Sequence, residues 1–231
     1  MSLLTLLKVI KDKHLSANAP PPMRTRAPMR LSQGSAVTIS ITPLVLAESE
    51  GSVFGSDLPS DNKIIAVGQY NLFNTAYYRC YLSQSEGAFL HFAMRGNDAV
   101  ERRLYRLIDE VDPPTAADWA FWLDENGYIG NPIAQTRPEN GGNEYQRTWV
   151  PGGQHLPPYK VVETIVDAIG ATTTVRHQMM PYHRALTDPK LAEHLLVSAA
   201  QTDSGMAVNL WLGLDIAASD LTVFASADAP V

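Results

Sequence analysis

The stretch from Trp119 to Trp149 constrains the fold more than any other part of this chain, because it combines three of the four tryptophans with two Asn-Gly pairs. Asn-Gly tolerates the positive φ angles that both central residues of a two-residue hairpin loop require. Asn126-Gly127 follows apolar residues at alternate positions, and Asn140-Gly141 precedes a second alternating set. The segment therefore predicts consecutive β-hairpins that form a β-meander.

Apolar residues alternate with polar ones along much of the chain, which is the period of a strand with one buried face. This alternation predicts strands at residues 37–41, 64–72, 75–82, 88–94, 194–201 and 208–214. Phe73-Asn74 and the turn from Thr202 to Gly205 would connect two pairs of these strands as hairpins. Residues 48–62, rich in glycine and acidic side chains, predict a loop.

Two segments favour helix. Residues 100–111 show apolar i, i+4, i+7 spacing after the capping residues Asn97 and Asp98. Residues 188–193 begin with Asp-Pro, which is typical of the start of a short helix. Residues 158–186 fit strand in one part and either strand or helix in another. We therefore predict a β-dominated α+β fold, with antiparallel meander and hairpin sheets of roughly nine or ten strands and a few short helices.

Four regions are predicted along the chain. Residues 1–15 form an amphipathic leader helix, residues 16–30 a proline- and arginine-rich linker, residues 31–224 a single β-rich domain, and residues 225–231 a frayed tail. The lysines of the leader follow or interrupt its apolar run, whereas a secretory signal peptide carries its positive charge first. The leader would dock on its own domain or on a partner, or else attach at a membrane surface with the help of its lysines.

Composition excludes several classes of protein. Hydrophobic content of 45% and charged content of 18% are typical of a folded chain and not of a disordered one. The net charge of −6 and the lack of a long basic stripe argue against a general nucleic-acid binder. The single cysteine, Cys80, excludes an intramolecular disulfide and a cysteine-cluster zinc site. No apolar run approaches the ~20 residues needed to span a bilayer, and we expect a cytoplasmic protein.

Three histidines are the strongest candidates for chemistry. His177, His183 and His194 could bind a metal or act as general bases or hydrogen-bond partners. The six-residue spacing of His177 and His183 matches no compact metal motif, and Pro181 interrupts the segment between them. We therefore expect no metal and no cofactor, and keep the three histidines as the alternative site.

Candidate contact residues come from two places. In the predicted meander, alternation puts Trp122 on the sheet face opposite Trp119 and Phe121, where it is either covered or available for binding. The second group lies between residues 176 and 183. The predicted contact surface therefore consists of Trp122, Arg176, His177, Tyr182 and His183.

No motif of a nucleophilic enzyme or a phosphate-binding loop occurs: Gly-x-Ser-x-Gly and Gly-Lys-Ser/Thr are both absent. Cys80 lies in an alternating apolar run and is interpreted as a small buried hydrophobe. Asp124 and Glu125, near the predicted meander turns, are expected to be solvated residues or caps of loop amides. The chain is therefore more consistent with a protein that is not an enzyme.

Five segments carry a family resemblance: WLDENGYIGNPI at residues 122–133, EYQRTW at 144–149, VRHQMMPYHR at 175–184, LLVSAAQTDSGMAVNLWLGLDI at 195–216 and DLTVF at 220–224. In this order they resemble the bacterial YjfK-like family, domain of unknown function 2491 (DUF2491). The resemblance implies no known activity and no catalytic residue. It implies an accessory role in envelope stress, with PspA-like or small membrane proteins as partners.

Two hypotheses about function follow. The first is a non-enzymatic adaptor that binds a protein partner, with peripheral contact at the inner membrane through Met1–Lys13. The alternative is a hydrolase, or a small-ligand or metal-binding protein, that uses His177, His183 and His194. A purely structural subunit of a homo-oligomer, assembled through strand edges, is a third possibility.

Overall fold

A computed structural model describes residues 27–85, 87–136, 142–150, 152–203 and 205–224. The strands are β1 (Ala36–Ile39), β2 (Asp61–Leu72), β3 (Thr75–Leu82), β4 (Ala88–Arg95), β5 (Asp98–Val111), β6 (Ile133–Gln135), β7 (Glu144–Arg147), β8 (Tyr159–Asp167), β9 (Thr172–Ala185), β10 (Ala192–Thr202), β11 (Gly205–Asp215) and β12 (Leu221–Phe224). The helices are α1 (Thr42–Ser49) and α2 (Ala116–Leu123), with short 3₁₀ turns at Pro28–Arg30 and Ala218–Asp220.

Eight of these strands close into an antiparallel β-barrel. Strands β2 to β5 form one four-stranded meander and β8 to β11 form a second. Their first strands pair with each other, β2 with β8, and so do their last strands, β5 with β11. The predicted α+β arrangement of meander and hairpin sheets is therefore wrong. Alternation reports the two faces of each strand, but it does not show that distant strands pair and close the sheet.

The barrel interior is one continuous cluster of side chains. Arg79 on β3 reaches Met179 on β9 at 3.7 Å, although β2 and β8 separate these strands around the sheet. The apolar part of the interior draws on all eight barrel strands and includes Tyr70, Tyr77, Tyr81, Phe89, Tyr105, Val161, Ile165, Val175, Met179, Leu196, Ala200 and Trp211. The barrel is thus filled with side chains, as expected for eight strands.

A second layer covers part of the outside of the barrel. Outward side chains such as Phe92, Val197 and Leu212 pack in one cluster with Leu44 and Ala47 of α1. Trp119, Trp122 and Leu123 of α2 pack against the same cluster, and Leu31, Phe54 and Tyr145 are buried in it. Because both faces of these strands are covered, both carry apolar residues.

The alternating run from Trp119 to Leu123, predicted as a hairpin strand, belongs to helix α2. Thr115 and Asp118 build a capping box, in which the Thr115 hydroxyl accepts from the Asp118 amide at 3.2 Å and the Asp118 carboxylate accepts from the Thr115 amide at 3.1 Å. Asn126-Gly127 lies in the turn that follows the helix and not in a hairpin, and the Gly127 amide donates to the Asp124 carbonyl. The second Asn-Gly pair lies outside the described residues.

Residues 100–111, predicted as a helix, belong to strand β5. Leu104 faces the outer layer while its neighbour Tyr105 faces the interior, so apolar residues on both faces imitate helical spacing. The predicted helix at residues 188–193 is also wrong, since the Leu191 amide closes a single turn onto the Asp188 carbonyl before β10 begins. Residues 158–186 resolve into β8 and β9, and part of the predicted loop at residues 48–62 is the end of α1 and the start of β2.

Two predicted hairpins are confirmed. Leu72 pairs with Thr75 across the Phe73-Asn74 turn, and Thr202 pairs with Gly205. The predicted strand at residues 88–94 corresponds to β4. In these segments the alternation of side chains and a turn of two residues identify the strands locally.

The predicted leader, most of the linker and the predicted tail lie outside the described residues. The described part begins inside the predicted linker, where Ala27 and Leu31 are buried on either side of the Pro28–Arg30 turn. Within the described ranges, no helix is long and apolar enough to cross a membrane.

Candidate functional site

A buried carboxylate, Glu163 on β8, organises the polar part of the barrel interior. It accepts hydrogen bonds from Arg79 Nη1 at 3.0 Å, from the Tyr81 hydroxyl at 2.9 Å and from His177 Nε2 at 2.9 Å. Burial alone would raise the pKa of Glu163, but Arg79 and the hydrogen bonds from His177 and Tyr81 lower it below its ordinary value. Glu163 is therefore ionised and paired with the Arg79 guanidinium.

His177 extends this network to Ser198 on β10. Because Nε2 faces a carboxylate, it carries the proton, and Nδ1 accepts from the Ser198 hydroxyl at 3.0 Å. Burial lowers the pKa of His177 more than the bond to Glu163 raises it, so the imidazole is neutral.

The order Ser198, His177, Glu163 has the connectivity of a catalytic triad. However, Ser198 is only 1% exposed and lies inside a filled barrel. The Glu163 carboxylate is already neutralised by Arg79, so it has less charge available to stabilise an imidazolium. The arrangement therefore stabilises the barrel and offers no substrate access to the hydroxyl.

One end of the barrel, here called the mouth, is the end at which the β2–β3 and β4–β5 turns lie. Asp215 accepts from His194 Nε2 at 3.0 Å and from Arg103 Nε at 2.9 Å, and Arg103 Nη1 donates to Glu101 at 2.7 Å. Burial is the main cause that lowers the pKa of His194, so the ring is neutral beside this carboxylate.

The three predicted histidines are distributed over two places. His183 and His194 are directly opposed on β9 and β10 at the mouth, and His183 Nδ1 lies 3.3 Å from the Thr148 hydroxyl. His177 is six residues from His183 on the same face of β9, deeper in the barrel. Among the described residues, no group of three or more histidine, cysteine, aspartate or glutamate side chains has the geometry to hold a metal ion.

The predicted contact surface is not a single surface. His177 and Tyr182 are buried, at 2% and 0% exposure, and the Tyr182 hydroxyl accepts from the Gly130 amide in the outer layer. Trp122 is half-buried on α2 and packs edge-on against Tyr128. Only Arg176 of the five is largely exposed.

The mouth also holds a cleft of about 530 Å³, here called the mouth cleft. Its walls are mostly apolar and include Phe73, Val100 and Trp149, while Tyr77 and Ala93 belong to the barrel interior. A volume of this size lies in the ordinary range of small ligand sites. The cleft is therefore a candidate ligand site that the sequence did not predict.

Aromatic rings support this cleft from beneath and from the side. Tyr159 packs edge-on against both Phe73 and Trp149, with ring centroids 5.7 Å and 5.2 Å apart. Tyr77 stacks on Tyr70 at 5.0 Å inside the barrel. Burial raises the pKa of Tyr77 to about 12, so its hydroxyl stays protonated at neutral pH.

Two exposed apolar residues of the mouth have left-handed backbone conformations. Phe73, at the β2–β3 turn, has φ 53° and is 75% exposed. Val150, next to Trp149, has φ 55° and is 60% exposed. Positive φ is uncommon for residues other than glycine and is a genuine outlier for a β-branched one.

Arg147 on β7 fixes the loop that carries Trp149 and Val150. Arg147 is 3% exposed, and its guanidinium donates from Nε and Nη2 to the Val150 carbonyl, at 3.1 and 2.9 Å. Nη1 donates to the carbonyls of Gly130 and Gln154, at 2.8 and 3.0 Å. The strained position of Val150 is therefore enforced by a buried clamp.

His91 lies directly beneath the floor of the cleft. It is the next inward-facing residue after Ala93 on β4, and its Nε2 lies 3.1 Å from the Tyr70 hydroxyl. Nδ1 is buried and has no partner within the described part of the chain. Burial lowers the pKa of His91 well below its ordinary value, so the ring is neutral.

A second buried carboxylate, Glu193, joins the outer layer to the barrel. It accepts from the Tyr145 hydroxyl at 2.5 Å, from Arg184 Nε at 3.0 Å and from the Val53 amide at 2.8 Å, and it also bonds Ser52. These partners come from β7, β9 and the segment after α1. The outer layer is thus anchored by side chains that no local motif identifies.

Comparison with known proteins places the chain in a family. A family model described as a protein of unknown function, DUF2491, matches residues 7–222. The chain belongs to the DUF2491 family. This confirms the family predicted from the five segments between residues 122 and 224, whereas the narrower YjfK-like grouping stays a prediction. No curated protein and no solved structure shows a significant match.

Part of the mouth of this DUF2491 protein was predictable from its sequence. The alternation around Phe73-Asn74 predicted the turn, but nothing local shows that this turn meets Trp149, which is 76 positions further along the chain. The unusual signal was the large apolar Phe73 at a hairpin turn, a position that favours glycine, asparagine and aspartate.

Proposed function

We propose that this DUF2491 protein is a non-enzymatic binding protein that engages a partner protein at the mouth cleft. The observation that carries the proposal is the pair of exposed apolar side chains, Phe73 and Val150, each with a left-handed backbone conformation beside the cleft. Such a conformation costs about 1–3 kcal/mol per residue and is concentrated at functional positions of proteins. A partner that covers both side chains would gain apolar burial that the isolated protein lacks.

The barrel supports this role as a rigid scaffold. Its interior is filled, and Glu163 connects β3, β8 and β9 through three buried hydrogen bonds. The Arg147 clamp holds the Trp149 loop at the same end. A site on such a frame is preorganised, so little ordering entropy is lost when a partner binds.

The role of an adaptor extends this proposal beyond the described residues. The leader, Met1–Lys13, would supply a second contact with the partner or with the inner face of the membrane. The family resemblance suggests an accessory role in envelope stress, with PspA-like or small membrane proteins as partners. Both extensions rest on sequence pattern and resemblance.

The alternative hypothesis uses the three histidines for hydrolysis, ligand binding or metal binding. Each ring has a protein partner: His177 has Glu163 and Ser198, His194 has Asp215, and His183 has Thr148. Both ring nitrogens of His177 are bonded inside the filled barrel, and among the described residues the histidines belong to no group that could hold a metal ion. These two observations favour the binding role.

Affinity capture from native lysate tests the proposal directly. Full-length protein is compared with Phe73→Asn, which keeps a residue that tolerates positive φ but removes the exposed ring. Phe121→Asn is the matched control, since Phe121 is also an exposed phenylalanine, at 59%, but lies on α2. We expect a partner that is captured by the wild type and the control and lost with Phe73→Asn. Capture that is equal in all three would contradict the proposal.

A further inference from the structure

Some charged side chains around the mouth cleft have an ion-pair partner, and others do not. Glu101 lines the cleft but is paired with Arg103, and Arg103 is also paired with Asp215. His194 is bonded to the same aspartate. Arg95 also lines the cleft and is exposed, and its side chain makes no hydrogen bond and no ion pair among the described residues, although Asp98 stands opposite it across the β4–β5 turn. The cleft therefore combines apolar walls with a guanidinium that has no direct ion-pair partner among the described residues.

We propose that the mouth cleft recognises a peptide segment of the partner in which an aromatic or branched aliphatic side chain lies next to a carboxylate. The apolar side chain contacts Phe73, Val100 and Trp149, and the carboxylate pairs with Arg95. This inference rests on the proposed function and specifies the chemistry of its partner. Arginine suits this task because its planar fork of donors matches a carboxylate.

The polar atoms at the cleft agree with a peptide ligand. Asn74, Thr75 and Tyr77 add amide and hydroxyl groups to the same lining, which can bond peptide carbonyls and amides. Beneath them, the unpartnered Nδ1 of buried His91 lies one inward position below the small side chain of Ala93.

A peptide is favoured over an anionic membrane surface. The chain carries a net charge of −6, which repels acidic lipid. Glu101 and Asp215, the latter 58% exposed, add negative charge at the mouth. They oppose a whole anionic surface more than a single carboxylate that pairs directly with Arg95. One guanidinium can bind one carboxylate at this site, but it cannot supply the several basic residues that a membrane surface normally requires.

The test is a selection of displayed random peptides on the full-length protein. Wild type, Arg95→Gln, Phe73→Asn and the control Arg176→Gln, an exposed arginine of β9, are screened in parallel. We expect the wild type and Arg176→Gln to enrich peptides with an apolar residue beside aspartate or glutamate. Arg95→Gln should keep the apolar preference, lose the acidic one and bind the selected peptides about fivefold more weakly. Phe73→Asn should enrich neither.

The outcomes separate this inference from the proposed function. Two results would overturn the inference and leave the binding role intact. In the first, the enriched peptides depend on Phe73 but show no preference for acidic residues. In the second, Arg95→Gln enriches acidic peptides as strongly as the wild type does. The absence of any enrichment dependent on Phe73 would overturn both. If no peptide is enriched and the protein binds vesicles of phosphatidylcholine with phosphatidylglycerol in a way that depends on Arg95, the ligand is a lipid and the peptide proposal is wrong.

Discussion

Gly68 on β2 provides the sharpest test of the buried network. A methyl group there would lie 1.8 Å from Glu163 Oε1 and 2.8 Å from Glu163 Cδ, far inside van der Waals contact. Glu163 is fully buried and bonded to Arg79, Tyr81 and His177, so its carboxylate cannot move aside without breaking these bonds. Gly68→Ala should therefore displace the Glu163 carboxylate and break its bonds to Arg79, Tyr81 and His177.

The expected cost is that of an uncompensated buried charge, about 3–5 kcal/mol. In a domain of this size each kcal/mol lowers Tm by about 2–4 °C, so we expect a fall of roughly 6–20 °C, measured by thermal and urea unfolding. Gly153→Ala is the matched control, because a methyl group at Gly153 has no heavy atom within 4 Å. Loss of glycine flexibility should make that variant neutral or more stable by up to about 1 kcal/mol.

A double-mutant cycle locates the effect at Glu163. Glu163→Ala alone should be strongly destabilising, since it leaves Arg79 buried without its counter-charge. Adding Gly68→Ala to that variant should cost little, because the carboxylate that the methyl group meets is gone. If Gly68→Ala is as stable as Gly153→Ala, or if the two substitutions are additive, the interior arrangement described here is incorrect.

Three further predictions concern pH, the loop clamp and backbone strain. Burial lowers the pKa values of His91, His177 and His194 in the folded protein, so below about pH 6.5 the unfolded chain binds more protons. The free energy of unfolding should then fall from pH 7 to pH 5, by up to about 1.4 kcal/mol per pH unit for each histidine; urea midpoints that stay constant would contradict this. Arg147→Met leaves its carbonyl partners without a donor and should cost about 2–4 kcal/mol, with faster amide exchange in residues 148–156; unchanged exchange would exclude the clamp. Val150→Gly should raise stability by about 0.5–1 kcal/mol, as relief of strain exceeds the added flexibility, yet weaken partner capture; a destabilised variant would show that Val150 is needed for folding.

Local signals in the sequence predicted some elements of the barrel and missed others for physical reasons. Val208 to Leu214 alternate strongly beside a short turn, so β10 and β11 were predicted correctly. Aromatic residues at alternate positions suggested a strand at Trp119–Leu123, although the Thr115-x-x-Asp118 capping pair marked a helix start. That pair was the stronger signal, because it satisfies the backbone amides of the first turn.

Elements buried on two faces were the least predictable. In β5, Leu104 faces outward and Tyr105 faces inward, and both lie in apolar surroundings. The sequence of this strand therefore does not alternate between apolar and polar residues. Closure of the barrel depends on β2 meeting β8 and β5 meeting β11, and these pairings connect residues about 100 positions apart. Such contacts leave no trace in a local pattern.

The candidate site shows the same limit. His177, His183 and His194 were predicted as a candidate site because three histidines lie close together in the sequence. In the structure each of them contacts a side chain of the protein itself. The mouth cleft depends on Phe73, Arg95 and Trp149, which three separate segments contribute. The one local sign of this cleft in the sequence is a phenylalanine, Phe73, at a hairpin turn, where this residue type is uncommon.

Site-specific photo-crosslinking in native cells tests the central claim most directly. Photo-reactive p-benzoylphenylalanine is placed at Phe73 and, in a parallel variant, at Phe121, which is also an exposed phenylalanine but lies on α2. A binding role of the mouth predicts one dominant protein adduct from position 73, absent from position 121 and diminished by Arg95→Gln. The same adducts from both positions, or none from position 73, would contradict it.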